Sequence, residues 1–146
     1  MIFIGECGLD KNSHFDLDYQ KDILKKQIFL SEKKAKPLIF HCFGYFNELI
    51  ALKKEIKPTQ CWIIHGFRGK PPLAAQLIKA GFSISFGEHF NLESVRETPL
   101  NKLFIETDES HIPVLDIYNQ IANIKSCKVG DLNAGSLLID SIKTKF

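Results

Sequence analysis

Glu6, His41, His65 and Asp108 each close a short apolar run. Glu6 follows Ile2-Phe3-Ile4-Gly5, His41 follows Leu38-Ile39-Phe40, His65 follows Cys61-Trp62-Ile63-Ile64, and Asp108 follows Leu103-Phe104-Ile105-Glu106-Thr107. Carboxylate oxygens and imidazole nitrogens are ligands for divalent metals. In parallel α/β sheets and barrels the carboxyl ends of the strands converge on one face, where ligands and catalysis are placed. The four residues together therefore suggest a metal site built from carboxylates and imidazoles. Taken singly, each has a plainer reading: a glutamate paired with a lysine, a hydrogen-bonded core histidine, an aspartate capping a helix. A carboxylate inside an apolar and glycine-rich segment is costly without a partner, which favours a functional role for Glu6.

The stretches between these runs read as helices. From Leu17 to Lys36, the residues Leu17, Gln20, Leu24, Gln27 and Ser31 recur at spacings of three and four, and Ile23, Ile28 and Leu30 widen the apolar face. Lys25, Lys26, Lys33, Lys34 and Lys36 are most simply its wet side. Pro37 stops this helix and an apolar strand begins at Leu38. A second helix is expected near Asn47 to Lys54, then a break at Pro58 and a strand from Gln60 to His65. Pro71 and Pro72 suit the first turn of a third helix, and Gly81 suits its end. Phe82 to Phe86 alternates apolar and small polar residues, as a strand with two differing faces would. A short helix near Leu92 to Glu97, a strand from Lys102 to Glu106, and helices near Val114 to Ile124 and Leu132 to Ile142 complete the pattern. Five strands, each followed by helix, is the signature of parallel βα units.

Composition sets outer limits. The chain has 146 residues, 45% hydrophobic and 25% charged, which places it in the ordinary globular class with one domain expected over residues 1–146. Its net charge of +2, from 19 basic and 17 acidic residues, does not advertise nucleic acid, so any basic patch would be local. Cys7, Cys42, Cys61 and Cys127 show no C-x-x-C spacing and follow no secretory signal, which points to reduced thiols and a cytoplasmic protein. No apolar run approaches the roughly 20 residues that a membrane helix needs.

Ile4-Gly5-Glu6-Cys7-Gly8-Leu9-Asp10 resembles the I-G-E-x-G-L-D segment of the TatD family of metal-dependent deoxyribonucleases. Other segments agree in order: Gln20 and Gln27, Pro37-Leu38-Ile39-Phe40-His41, Ile64-His65-Gly66-Phe67-Arg68-Gly69, Ser83-Ile84-Ser85-Phe86-Gly87, and Pro99-Leu100 leading into Leu103 to Asp108. The resemblance implies a partial TIM-type (β/α) barrel, whose five parallel strands correspond to the family's fourth to eighth. The family's first three strands, and the His-x-His pair on the first of them, have no counterpart in these residues. Either truncation or an open five-stranded sheet is expected, with a homodimer through exposed sheet edges as one way to complete it.

The same resemblance implies chemistry. Glu6 would bridge metals, His41 and His65 would supply imidazole nitrogens, and Asp108 would bind metal and accept the proton of the attacking water. The cofactor would be magnesium, manganese or zinc, one or two ions in the family and at most one well-held ion here. The substrate would be DNA or a related ester. Arg68, three residues past His65 between Gly66 and Gly69, is suited to pair with a substrate phosphate by two parallel hydrogen bonds. The family usually has serine at that position. An alternative is a catalytically impaired remnant that acts as a binding or self-associating module. His14, His89 and His111 lie just beyond strand ends and read as solvated loop residues.

Overall fold

The computed structural model describes residues 2–144. Five parallel strands form one sheet in chain order: β1 (Ile4–Asp10), β2 (Leu38–Phe43), β3 (Trp62–Ile64), β4 (Ser83–Phe86) and β5 (Leu103–Ile105). The helices are α1 (Leu17–Lys34), α2 (Phe46–Ile56), α3 (Pro71–Lys79), α4 (Leu92–Glu97), α5 (Val114–Lys125) and α6 (Ala134–Lys143). The chain forms two compact units, the first running to Ile64 and the second starting at His65.

In the first unit, the Asp16 side chain starts α1 by accepting the Tyr19 N–H at 2.8 Å. Leu24, Ile28 and Ser31 form its buried stripe. The helix stops at Lys34, two residues short of the expected end, because Pro37 forces Lys36 out of helical geometry and Ala35 closes the turn in the left-handed region at φ 50°. The core here is Leu9, Leu24, Leu38, Phe40, Leu49 and Trp62, all at most 1% exposed, and burying such side chains contributes about 1.5–3 kcal/mol each. Phe40 and Trp62 meet with ring centroids 4.6 Å apart, and Lys53 Nζ lies 4.6 Å from the Trp62 ring centroid. Glu32 ties α1 to the turn before β3. Its carboxylate accepts the Thr59 N–H at 3.1 Å, the Thr59 hydroxyl at 2.6 Å and the Gln60 N–H at 3.0 Å.

In the second unit, Pro71 and Pro72 open α3 as their sequence position suggests. Asn91 caps α4 by accepting the Ser94 N–H at 3.0 Å. The Ser94 hydroxyl donates to the Gly69 carbonyl at 2.6 Å, and Lys125 Nζ donates to the carbonyls of Arg96 and Thr98 at 2.6 and 2.7 Å, so α4 is pinned from both ends. The alternation along β4 predicts two differing faces, yet all four of its residues are buried. Helix α3 packs against the strand, Phe67 meets Phe86 edge-on at 6.0 Å, and the serines are small enough to be enclosed. Among the described residues no helix is long and apolar enough to cross a membrane.

Candidate metal centre

Two of the four strand-borne donors, Glu6 and His41, belong to the first unit. Glu6 does not close β1 as the sequence suggests. It lies inside a strand that continues to Asp10. The pairing runs Ile4 with Leu38, then Cys7 with Phe40, so Gly5 and Glu6 together stand against Ile39 alone. Such a bulge re-aims the side chains beside it, and Glu6 is exposed. Only glycine suits position 5, where φ is 147° and a Cβ would lie 2.7 Å from the Ile39 carbonyl oxygen.

His41 likewise lies within β2 rather than at its end, opposite Gly8. Its Nε2 is 2.8 Å from Oδ2 of Asp10. Asp10 is itself held in place: its N–H donates to Gln20 Oε1 at 2.7 Å, its carbonyl accepts from Gln20 Nε2 at 3.1 Å, and its Oδ1 accepts the Asn12 N–H at 2.7 Å. The Asn12 bond, and then the His41 bond, hold the Asp10 carboxyl below the usual carboxylate range. Burial pushes the Cys7 thiol, and likewise Cys42, up to about 12, so neither offers a thiolate near neutral pH.

The other two donors belong to the second unit. His65 directly follows β3 and its Nδ1 lies 3.3 Å from Oε1 of Glu106, with the two side chains 12% and 17% exposed. Burial raises the Glu106 pKa, but hydrogen bonds from the His65 ring, the Ser85 hydroxyl and the Gly66 N–H together outweigh it and leave the carboxyl below its ordinary value. Glu106 extends the β5 ladder through its N–H to the Phe86 carbonyl at 3.1 Å. Asp108, two residues on, is exposed and takes a left-handed backbone at φ 47°, a conformation that aspartate tolerates better than most residues.

Glu106 and Asp108 line a cleft of about 300 Å³ together with Gly66, Arg68, Glu88 and His89. Arg68 therefore reaches the same cleft as Asp108. On its rim the Ser110 hydroxyl donates to Glu88 Oε2 at 2.6 Å and accepts the Ile112 N–H at 3.1 Å. His14, His89 and His111 are exposed, in keeping with their reading as loop residues. Asp10 and Glu106 are the partners that the donor pattern does not single out. The available signals were a charge closing the Ile4 to Asp10 motif and a charge interrupting the apolar run of β5.

Parallel βα units with carboxylates and imidazoles borne at or near the strand ends define an α/β protein of the hydrolase-barrel type. A model of the TatD-related DNase family matches residues 1–129, and the chain belongs to that family. YabD of Bacillus subtilis, described as an uncharacterized metal-dependent hydrolase, is 33% identical over 119 residues, covering 74% of this chain and 46% of its own length. Another protein so described, from Buchnera aphidicola of Baizongia pistaciae, is 34% identical over 134 residues, 84% of this chain and 51% of its own. The chain spans about half the length of these curated relatives. Among solved structures, the TatD homologue YjjV from Escherichia coli superposes with a TM-score of 0.81 at 18% identity, covering 97% of this chain and 62% of that one. A TatD-family hydrolase from Entamoeba histolytica gives 0.76 at 21% identity, with 98% and 62% covered. The fold is accordingly part of a TIM-type barrel.

Proposed function

We propose that the chain is a metal-dependent hydrolase of phosphodiester bonds, with DNA as its substrate class and the cytoplasm as its compartment. The observation that carries this reading is the family match over residues 1–129, a span that includes Glu6, His41, His65 and Asp108. The donor set fits a divalent ion. Two carboxylates and two imidazoles offer only oxygen and nitrogen, the chemistry that magnesium, manganese and zinc accept. Each imidazole has a carboxylate at hydrogen-bonding distance, Asp10 for His41 and Glu106 for His65, as metal-binding histidines usually do.

In this reading Glu6 and His41 in the first unit, and His65 and Asp108 in the second, would each serve as a ligand of a divalent ion. When bound, it supplies Lewis acidity and draws the pKa of water toward neutrality. Asp108 accepts the proton of the water that attacks phosphorus. Asp10 holds Nε2 of His41 and so orients that ring. Arg68, on the same cleft as Asp108, pairs with a substrate phosphate and sets the position of the scissile bond.

Calorimetric titration of manganese into the chain, and into His65→Ala and Asp108→Asn, tests the site. Binding that weakens sharply in both variants supports the reading. Equal binding in all three proteins contradicts it, and no binding in the unaltered chain favours the inert-remnant alternative.

A further inference from the structure

The Glu106 carboxylate faces hydrogen-bonding groups from two different segments of the second unit. Nδ1 of His65 is 3.3 Å away, the Gly66 N–H comes from the same loop, and the Ser85 hydroxyl comes from β4. Ser85 is 5% exposed, and its carbonyl accepts the Phe67 N–H at 3.1 Å, so the strand that carries the hydroxyl is itself tied to the loop that carries His65. Glycines flank the carboxylate. A Cβ at Gly66 would lie 3.6 Å from its Oε1 and a Cβ at Gly87 3.5 Å from its Cγ, ordinary contact distances, so both glycines border the carboxylate.

A carboxylate fixed in this way selects between the two neutral forms of the imidazole. It accepts a hydrogen bond, so it favours the form with the proton on Nδ1, and the lone pair then sits on Nε2. We infer that Glu106 is a positioning residue, which holds the Nδ1 proton of His65 and so makes Nε2 the donor atom of the ring. Its effect on metal binding rests on the reading of His65 as a ligand. The tautomer itself does not. Glu106 is absent from the four donors that the strand-end pattern assigns, and it acts through His65.

Two measurements test this. Nitrogen-15 spectra of the imidazole side chains in the metal-free chain should show His65 protonated on Nδ1. In Glu106→Ala that preference should be lost, and in Glu106→Gln, whose amide oxygen still accepts, it should be kept in part. His65 protonated on Nε2 in the unaltered chain, or a tautomer indifferent to both substitutions, overturns the inference. The second measurement is a cycle of manganese affinities over Glu106→Ala, His65→Ala and the double variant. Glu106→Ala alone should weaken binding about 10- to 100-fold, and adding it to His65→Ala should change affinity less than about twofold. Equal losses in both backgrounds would make Glu106 a direct ligand and overturn its role through His65. An Nδ1–H tautomer that depends on Glu106, in a chain that binds no manganese, would uphold the positioning and remove the metal reading instead.

Discussion

Gly8 and His41 face each other across β1 and β2, so closely that a Cβ at Gly8 would lie 1.6 Å from the His41 carbonyl oxygen. No rotamer change relieves such an overlap, because the obstacle is backbone. Gly8→Ala should therefore push the strands apart and destabilise the protein by about 3 kcal/mol or more. Urea denaturation monitored by Trp62 fluorescence measures this. A change under about 1 kcal/mol would show that the strands separate at little cost.

Glu32 makes stability depend on pH. Burial raises its pKa, but hydrogen bonds from the Thr59 hydroxyl and the N–H groups of Gln60 and Thr59, with the Lys53 charge, leave it below its ordinary 4.5. A carboxyl with a lowered folded pKa stabilises the protein above its unfolded value, and that stability is lost as pH falls through the folded value. Glu32→Gln should lower stability by about 1 kcal/mol at neutral pH, since the site is partly exposed. The gap between the two proteins should close under acid conditions below 4.5. A gap that stays constant with pH would mean that the carboxylate charge contributes nothing.

Much of the first unit was legible because burial follows the helical period. Leu24, Ile28 and Ser31 on α1 are buried where their spacing places them. The extent of β1 was not legible, because Gly5, Glu6 and Gly8 interrupt any apolar alternation, and their roles are a bulge and a close backbone approach that only the partner strand reveals. β4 misled for a related reason: Ser83 and Ser85 look like a solvent face, yet small hydroxyls are readily enclosed. At the candidate site the apolar runs that lead into Glu6, His41, His65 and Asp108 are visible in the sequence. The roles of Asp10 and Glu106 are not, since a carboxylate that serves an imidazole is defined by distance across the fold, 31 and 41 residues away in sequence.

Arg68 lines the same cleft as Asp108. If it binds a substrate phosphate, Arg68→Ala should raise KM for a DNA oligonucleotide by about tenfold with a smaller change in kcat, the signature of lost ground-state binding. Arg68→Lys should recover only part of this, because a lysine cannot form two parallel hydrogen bonds. Unchanged KM in both variants would place Arg68 outside the substrate path.

The proposed hydrolysis depends on metal and on Asp108. Its most direct test is cleavage of a DNA oligonucleotide by the purified chain in manganese, in chelator, and as Asp108→Asn. Turnover is expected in manganese, none above background in chelator, and a loss of at least about 100-fold in the variant. Turnover that Asp108→Asn retains in full, or that survives the chelator, would contradict it.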